Sequence, residues 1–552
     1  MKSNIKKAIV CILIIPVFAG ISPENKRAKN VVTKGNETCF VDPYERIQAA
    51  FALESKRKNM LMNNSVINFS ADTSANISTY GMSYDLDKIN KNRPDFSFTS
   101  EGYAELPGVT CFRGDNNRDG GSYGKVDVKE GKLSILWKKD IGTIDTWSGV
   151  GWNGQPAIVK WDKTAIANMN IKENKKKKEN LKEVIYATLD GNVYFLDLED
   201  GSETRTKLNI GAPIKGSLTV DPRGIPLLYV GQGIDRSGSS YVDFAYRIFS
   251  LTNFKKLYEI KGRDNFARRD WGAFDSTALV DRINDYLFIC GENGVVYSGK
   301  LNTKYENGQV EIKPELDKYR YSFPGKDKRG IENSIAIYKN YGFFADNDGM
   351  LQCIDLKNLK PLWASNVKDD TDSTIVLEKQ DSELNLYTAC EVDHQGQNGF
   401  SYVRKFDAAS GKLLWENKYM CSYNEETNGG ALATPVLGKG DIKNLVIFNI
   451  ARHTSSNGGV LVAIDKNTGK EVWSLKLNNY CWSSPVALYS KEDKSYIVQC
   501  DSTGKAMLIE GISGKVMDTI ELGANVEGTP AAFEDTLVVG TRGCKIIGFK
   551  VK

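Results

Sequence analysis

Short apolar runs separated by polar turns repeat along the chain from about residue 130 to its end. In the clearest unit the apolar runs cover residues 484–488, 496–500 and 506–509. Runs of this length, bounded by turn residues, predict β-strands rather than helices. Four such strands in a unit of about fifty residues are typical of a propeller blade. The pattern therefore predicts an all-β fold assembled from repeats.

A tryptophan motif marks the same place in successive units. Residues 463–473 read Ala-Ile-Asp-Lys-Asn-Thr-Gly-Lys-Glu-Val-Trp, and related segments end at Trp415 and Trp363. The Thr-Gly-Lys step predicts a turn between the third and fourth strands, where glycine supplies a positive φ. A tryptophan on the fourth strand is placed to fill the space between neighbouring blades.

The repeats predict eight blades and a ring closed by both ends of the domain. Innermost strands begin near residues 156, 214, 276, 334, 373, 434, 484 and 529. The last unit ends after only three strands, and the segment Leu-Ser-Ile-Leu-Trp at residues 133–137 offers the fourth. Its Trp137 stands at the docking position. Closure in this way would leave no free sheet edge.

The Ala-x-Asp-x-x-Thr-Gly-x-x-x-Trp pattern resembles the tryptophan-docking motif of the PQQ-type, quinoprotein alcohol dehydrogenase-like β-propellers, over roughly residues 130–552. That superfamily includes quinoprotein alcohol dehydrogenases and the assembly factor BamB. Residues 108–114 and 147–152 are also similar to uncharacterised secreted PQQ-repeat proteins of Gram-positive bacteria. The resemblance implies an eight-bladed β-propeller of four-stranded antiparallel blades. It does not by itself imply an activity.

The first residues predict export. Three lysines precede an apolar run at residues 8–19, and the run is shorter than the ~20 residues that span a bilayer. We interpret residues 1–19 as a signal peptide cleaved near Ala19, and expect a secreted or cell-surface protein. A retained N-terminal membrane anchor is the alternative.

The remaining chain divides into two parts. Residues 20–125 form a polar, irregular N-terminal extension, with one segment at residues 44–62 whose apolar spacing predicts a helix. Residues 126–552 form the propeller.

Charge and cysteine content exclude several classes of function. Lys+Arg 73 against Asp+Glu 69 provides no basic surface for nucleic acid, and the basic run at residues 175–178 predicts a solvated loop. After cleavage nine of the ten cysteines remain, without any C-x-x-C pair. They predict small buried hydrophobes rather than a zinc or redox site. We expect a monomer.

Candidate ligand-binding residues lie in the loops that lead into the innermost strands. A propeller gathers these loops around the mouth of its central channel, where aromatic and charged side chains can form a pocket. The predicted binding residues are Trp147, Trp152, Arg268, Arg269, Trp271, Asp275, Glu332, Asp372, Trp482 and Glu527. The alternative interpretation is that they only cap the blades.

Two weaker patterns concern metals. The two histidines, His394 and His453, fall in matched loops of adjacent blades, so a metal or proton-transfer site with Asp393 or Glu391 is one hypothesis. Unpartnered loop histidines are the alternative.

The second pattern resembles half of a calcium loop. Asp115-x-Asn117-x-Asp119-Gly120 matches its first positions, but Val126 stands where the chelating acid belongs. A polar turn is therefore favoured.

The expected function is a binding or scaffold module for a protein partner or a cell-envelope glycan, without catalysis. The alternative is a quinone- or metal-dependent oxidoreductase that uses the same channel. For a quinoprotein dehydrogenase, the family resemblance implies three features. These are an adjacent Cys-Cys pair, a calcium ion held by carboxylates and an amide, and an Asp base in the channel. No two cysteines are adjacent in this chain. We therefore expect no cofactor, with PQQ and calcium as the alternative.

Overall fold

The computed structural model describes two separate units, Met1–Val66 and Ile67–Lys552. The residues it describes are 32–34, 37–39, 67, 69–96, 98–99, 102–152, 154–326, 329–424, 427–453 and 455–552. In the first unit Val32–Lys34 pairs antiparallel with Glu37–Cys39. The predicted signal peptide and the predicted helix at residues 44–62 lie outside the described residues, so both stay predictions.

Eight sheets of four antiparallel strands form the body of the second unit, which confirms the predicted eight-bladed all-β propeller. The strands of each blade are given from the innermost outwards. Blade 1 comprises Ala157–Val159, Glu183–Ala187, Asn192–Asp197 and Leu208–Asn209, and blade 2 comprises Thr219–Val220, Leu227–Val230, Ala245–Ser250 and Lys256–Lys261. Blade 3 comprises Leu279–Asp281, Tyr286–Cys290, Val295–Lys300 and Glu315–Ser322, and blade 4 comprises Ala336–Tyr338, Tyr341–Phe344, Met350–Asp355 and Lys360–Asn366. Blade 5 comprises Val376–Gln380, Glu383–Ala389, Phe400–Asp407 and Leu413–Met420, and blade 6 comprises Val436–Leu437, Leu445–Ala451, Gly459–Asp465 and Glu471–Leu477. Blade 7 comprises Val486–Tyr489, Ser495–Cys500, Lys505–Glu510 and Val516–Glu521, and blade 8 comprises Ala531–Phe533, Thr536–Thr541, Lys545–Val551 and Leu133–Asp140.

Small elements decorate the blades. The short hairpins are Thr143–Ile144 with Trp147–Ser148, Arg236–Ser237 with Ser240–Tyr241, and Lys304–Glu306 with Gln309–Glu311, and Glu391–Val392 pairs with Gly429–Gly430. The α-helices are Lys163–Asn168 and Glu173–Lys176, and the 3-10 helices are Thr73–Ala75, Ile77–Tyr80 and Gly440–Ile442. In the part of the chain that the structure describes, no helix has the length and apolarity needed to cross a membrane.

The basic run at residues 175–178 corrects one expectation. Lys175 is buried, and its Nζ lies 2.7 Å from Asp197 Oδ2. Lys178 pairs with the same carboxylate at 2.7 Å. The prediction of a solvated loop is therefore wrong for these two lysines, because the third strand of blade 1 ends in an acid that attracts them.

The apolar core lies between blades rather than at one centre. Second strands such as Glu183–Ala187 and Tyr286–Cys290 are buried at every position, because each sheet is covered by a neighbour on both faces. Fourth strands face solvent and show partial exposure, as in Leu413–Met420. The eight cysteines from Cys111 to Cys544 are unpaired, and seven of them are buried, as expected for small hydrophobes.

Blade 8 joins the two ends of the propeller. Leu133–Asp140 pairs antiparallel with Lys545–Val551, and Trp137 lies opposite Gly548. The predicted closure is confirmed. The strand covers the backbone groups that the last strand of the chain would otherwise expose.

Tryptophans on fourth strands dock onto the next blade. The Nε1 of Trp415 donates to the carbonyl of Lys466 at 2.9 Å, and its ring covers Gly469. A Cβ at Gly469, whose φ is +70°, would lie 2.8 Å from that ring. The same arrangement of indole, carbonyl and glycine occurs at Trp137 with Leu198 and Gly201, Trp363 with Ala408 and Gly411, and Trp473 with Gly511 and Gly514.

Residues 107–126, which we call the plug, contact the inner edge of every blade. In blades 1 to 3, Gly108–Val109 pairs with Ala157–Val159, Thr110 O accepts from Val220 N (2.8 Å), and Arg118 Nη2 donates to Thr277 O (2.8 Å). In blades 4 and 5, Asn116 O accepts from Ile337 N (2.8 Å) and Asn117 O accepts from Leu377 N (2.9 Å). In blades 6 to 8, Arg113 donates to Pro435 O (2.9 Å) and Pro485 O (2.7 Å), and Gly121 O accepts from Ala532 N (3.2 Å). The inner edge of an innermost strand has no neighbouring strand in its own blade, so its backbone N–H and C=O groups need other hydrogen-bond partners. The plug provides such partners.

The plug bridges the inner edges of all eight blades and so occludes the channel at the level of the innermost strands. The loops that lead into those strands lie on one side of these contacts, and we call the end of the channel that they surround the mouth. Asp115, in the segment that resembles half a calcium loop, accepts the N–H of Asn117 at 2.9 Å and shapes the turn.

The docking geometry predicts the effect of two glycine substitutions. Gly469→Ala must strain a positive φ and also push Trp415, whereas at Gly325, with φ +74°, a Cβ meets nothing within 4 Å. We expect Gly325→Ala to cost about 1 kcal/mol and Gly469→Ala about 1–3 kcal/mol more. Urea denaturation of both variants measures the difference. Equal losses of unfolding free energy in the two variants would show that the contact with Trp415 contributes nothing to stability.

Candidate functional site

A belt of hydrogen bonds fixes the loops at the mouth. The backbone N–H of Thr277 donates to Ser334 Oγ at 2.8 Å, and Ser334 N–H donates in turn to Thr374 Oγ1 at 3.1 Å. The N–H of Thr374 donates to Thr434 Oγ1 at 3.1 Å, and the N–H of Thr434 donates to Ser484 Oγ at 3.0 Å. In blades 4 to 7 the hydroxyl at the start of the innermost strand therefore sets the position of the loop in the preceding blade.

Two residues before each of these positions stands one side chain per blade, a set we call the rim ring. From blade 2 to blade 8 its members are Lys215, Asp275, Glu332, Asp372, Leu432, Trp482 and Glu527. In blade 1 the equivalent position is residue 153, outside the described residues. Five of the predicted binding residues belong to this ring.

One sector of the ring forms a carboxylate cluster with a single lysine. Asp275, Glu292 and Glu332 each offer an oxygen within 4.8 Å of the others. Lys215 Nζ lies 2.5 Å from Asp275 Oδ2. Arg269 adds a second cation, with Nη1 donating to the carbonyl of Glu292 at 3.2 Å.

A second carboxylate group continues from blade 4 into blade 5. Asp370, Asp372 and Glu391 share the same close spacing, and Asp393 lies beside Asp370. Asn428 Nδ2 donates to Glu391 Oε2 at 3.0 Å. Three buried oxygens, Asp275 Oδ1, Glu292 Oε1 and Asp372 Oδ1, have no hydrogen-bond partner.

Burial and mutual repulsion perturb these acids. Burial, together with the charges of Glu332 and Asp275, raises the pKa of Glu292 well above its ordinary value. Burial also raises the pKa of Glu332 despite the opposing charge of Lys215. The pKa values of Asp370, Asp372 and Glu391 are raised by the same two causes. Such shifts concentrate at functional sites.

Aromatic side chains line the same mouth. Trp271 Nε1 donates to Glu292 Oε2 at 2.7 Å, and its ring packs edge-on against Phe244. Trp482 lies beside Tyr480 with ring centroids 5.5 Å apart, and its buried Nε1 has no partner.

Glu527 occupies a separate part of the ring. It lies next to the backbone N–H of Trp152, and burial raises its pKa. Asn525 Nδ2 donates to Glu527 Oε1 at 2.8 Å.

Two predicted residues lie away from the carboxylate clusters. Trp147 is half-buried on the hairpin Thr143–Ile144 with Trp147–Ser148. Arg268 donates from Nη2 to Asp85 Oδ2 at 3.1 Å, on the strand Ser83–Asp87 that extends the outer edge of blade 3. The N-terminal extension thus supplies a carboxylate partner for Arg268, and a binding role for this residue stays a prediction.

The two histidines have different surroundings. The exposed His394 donates from Nε2 to the carbonyl of Asn347 at 2.8 Å. His453 Nδ1 lies 2.8 Å from the carbonyl oxygen of Met420, and its ring packs edge-on against Tyr419. Among the described residues, no cluster of candidate metal ligands contains both histidines.

Sequence reasoning missed Glu292, Asp370 and Lys215 as site residues, and gave Glu391 only as a possible metal ligand. Glu292 and Glu391 come from the loops between second and third strands, not from the lead-in loops. The signal that could have found them is their position directly after the second strand, at the same end of the blade. Lys215 is the rim-ring residue of blade 2, two positions before Ser217.

Two observations bear on a quinone site with calcium. Of the three carboxylates in the Asp275 group, that of Asp275 is already paired with the ammonium of Lys215. The eight cysteines from Cys111 to Cys544 are unpaired, and no two cysteines of the chain are adjacent in the sequence.

Comparisons with known proteins agree with the repeat type. The family model described as outer membrane protein assembly factor BamB matches residues 456–552. No curated protein sequence matches the chain.

Solved structures share the fold at low identity. Quinohemoprotein alcohol dehydrogenase ADHIIG from Pseudomonas putida matches with TM-score 0.55 and 12% identity, over 81% of this chain and 80% of that one. The quinohemoprotein alcohol dehydrogenase from Comamonas testosteroni gives 0.56 and 11%, over 81% and 80%. BamB from Moraxella catarrhalis gives 0.49 and 13%, over 76% and 99%. The predicted PQQ-type propeller is therefore confirmed as a fold. The likeness to proteins of Gram-positive bacteria stays a prediction.

The repulsion among the acids predicts a stabilising substitution. Glu292→Gln keeps an acceptor for Trp271 and removes a buried ionisable group, so it should stabilise the fold by about 1–3 kcal/mol near neutral pH. Because the folded pKa of Glu292 is raised, the wild-type fold loses stability as pH rises above the ordinary glutamate pKa of about 4.3. The advantage of the variant should therefore shrink as pH falls towards about 4.3 and be absent below it.

Melting temperatures across this pH range test the expectation. Glu521→Gln, at a largely exposed side chain on the fourth strand of blade 7, is the control and should show no such trend. If Glu292→Gln were less stable than the unmodified protein at neutral pH, the negative charges of the cluster would already be compensated within it.

Proposed function

We propose that this chain is an exported cell-envelope protein that binds a basic segment of a protein partner at its channel mouth, without catalysis. The observation that carries the proposal is the charge imbalance at the mouth. Seven carboxylates occur in the candidate clusters there, and Lys215 and Arg269 are the cations we find next to them. A ligand that brings positive charge would relieve the repulsion that this arrangement stores.

The unpartnered oxygens indicate what that ligand must offer. Asp275 Oδ1, Glu292 Oε1 and Asp372 Oδ1 are buried acceptors, and a buried acceptor without a donor is costly. Lysine and arginine side chains supply several N–H donors on a long apolar stem. Sugar hydroxyls could also donate, but they would leave the negative charge uncompensated. A basic peptide therefore fits the site better than a neutral glycan.

The aromatic side chains suit the same ligand. A cation above an indole face gains attraction from the ring quadrupole, and Trp271 lies beside the acids, where it donates to Glu292. The free Nε1 of Trp482 could donate to a peptide carbonyl. Because the plug occludes the channel, a partner segment would insert into the mouth rather than thread through the channel.

The comparisons support a binding role in the envelope in general terms. The family model that matches residues 456–552 is described as an outer membrane protein assembly factor, a function that rests on contacts with other proteins. The predicted signal peptide is consistent with export.

An oxidoreductase is the second candidate, favoured by the fold shared with two quinohemoprotein alcohol dehydrogenases. The lack of two adjacent cysteines in the sequence weighs against it. After incubation with PQQ and calcium, we expect the protein to show neither a bound quinone chromophore nor alcohol-dependent dye reduction. Either signal would favour the enzyme.

Peptide binding tests the proposal directly. A short fluorescent peptide of lysine and glycine should bind in EDTA-containing buffer, and its anisotropy gives the affinity. The affinity should weaken with salt, because charges are screened over about 10 Å at 0.1 M ionic strength. Replacing Glu292 and Glu332 together by Gln should weaken binding about 10-fold to 100-fold.

Matched controls decide between the candidate ligands. Glu521→Gln should leave peptide affinity unchanged, and a peptide with norleucine in place of lysine should not bind. Tight binding of neutral cell-wall oligosaccharides that ignores the Glu292/Glu332 substitutions would favour the glycan instead. Equal affinity for both peptides would refute a charge-based site.

A further inference from the structure

A second cluster with different chemistry lies at the edge of the mouth. Asp393 and His394 belong to the long loop between the second and third strands of blade 5, and Asp370 belongs to the loop that leads into that blade. One ligand atom from each lies within 4.8 Å of the other two. This cluster differs from the channel acids because it contains an imidazole and is partly exposed.

The histidine is oriented as a metal ligand would be. Its Nε2 is 2.8 Å from the carbonyl oxygen of Asn347, which can only accept, so Nε2 carries the proton. In the neutral ring the lone pair is then on Nδ1, which lies 3.7 Å from Asp393 Oδ2. Metal-binding histidines usually donate their other ring N–H to a carbonyl or carboxylate, which fixes the tautomer. His394 already has this arrangement.

A buried carboxylate anchors the loop. Asp369 is fully buried and accepts the backbone N–H of Asp393 at 3.1 Å and of His394 at 2.9 Å. Gln395 Nε2 donates to the same carboxylate at 2.9 Å. The loop is therefore held without help from Asp370 or Asp393, whose own carboxylates are left for another partner.

A buried carboxylate beside this cluster adds to its negative charge. Asp372 is only 9% exposed, its Oδ1 has no hydrogen-bond partner, and its carboxylate lies within 4.8 Å of an oxygen of Asp370. A buried carboxylate this close to a second one is costly to ionise unless positive charge is near. The cations identified at the mouth, Lys215 and Arg269, lie at the Asp275 group.

We propose that His394, Asp393 and Asp370 bind a divalent transition-metal ion, of which Zn²⁺ is the representative. One imidazole nitrogen and two carboxylate oxygens are ligands that such ions accept, and water would complete the coordination. Bonds of about 2.1 Å place tetrahedral ligands ~3.4 Å apart, so modest side-chain rotation suffices. His453 takes no part, in contrast to a two-histidine site. This inference does not rest on the proposed peptide-binding function.

The small number of histidines makes the test specific. The chain contains two, so the untagged full-length protein labelled at histidine Cε1 with ¹³C should give two ring cross-peaks. Titration with Zn²⁺ should shift or broaden the His394 cross-peak and leave that of His453 in place. Calcium, which prefers oxygen ligands, should not move either one. Calorimetry should give one Zn²⁺ per chain.

Variants assign the ligands. His394→Gln and Asp393→Asn should each lower the Zn²⁺ affinity about 10-fold to 100-fold. His453→Gln is the matched control and should bind Zn²⁺ like the unmodified protein. Since His394 is exposed, its replacement should leave the melting temperature unchanged.

The proposal would be overturned by undiminished Zn²⁺ binding in His394→Gln. It would also be overturned if Zn²⁺ moved both cross-peaks or neither. Because none of these readouts involves a peptide, they do not depend on the outcome at the channel mouth.

Discussion

The contact between an indole ring and a glycine of the next blade joins four pairs of neighbouring blades in this propeller. Each docking tryptophan covers a glycine whose φ is positive, and donates its Nε1 proton to a neighbouring carbonyl. Glycine is required twice, for the backbone conformation and for the space that a Cβ would occupy. The contact joins blades that are separate sheets, so their relative positions depend on it. In blade 8 it also secures the strand that closes the ring, through Trp137 and Gly201.

A ring fixed in this way can hold groups that repel one another. The hydroxyl belt places one rim-ring side chain per blade at the mouth, and in blades 3 to 5 all three are acids. In a flexible loop these carboxylates would separate into water. Here the plug occludes the channel and the loops are tied to their neighbours, so burial and like charge raise the pKa values instead.

The sequence predicted the parts of the structure that recur. The repeated Thr-Gly-Lys and tryptophan positions revealed the blades, and the incomplete last repeat revealed the closing strand. Rim-ring residues such as Asp275 and Glu332 could be found because they occupy equivalent positions in successive units. Glu292 could not be placed, because its partners come from another class of loop. The plug was also missed, since its bonds to all eight blades come from one irregular segment without a repeat. The ion pair of Arg268 could not be predicted either, because its partner, Asp85, belongs to the irregular N-terminal extension.

The sharing of Asp370 links the two proposed sites. This carboxylate lies within ligand distance of His394 and Asp393 on one side and of Asp372 and Glu391 on the other. A divalent ion bound to it would reduce the negative potential that attracts a basic segment to the mouth, and a bound basic segment would weaken the ion in return. Such coupling is reciprocal by thermodynamic necessity. It would act through charge alone, because Asp369 holds the loop independently of either ligand. The mouth would then respond to metal availability without any change in the propeller itself.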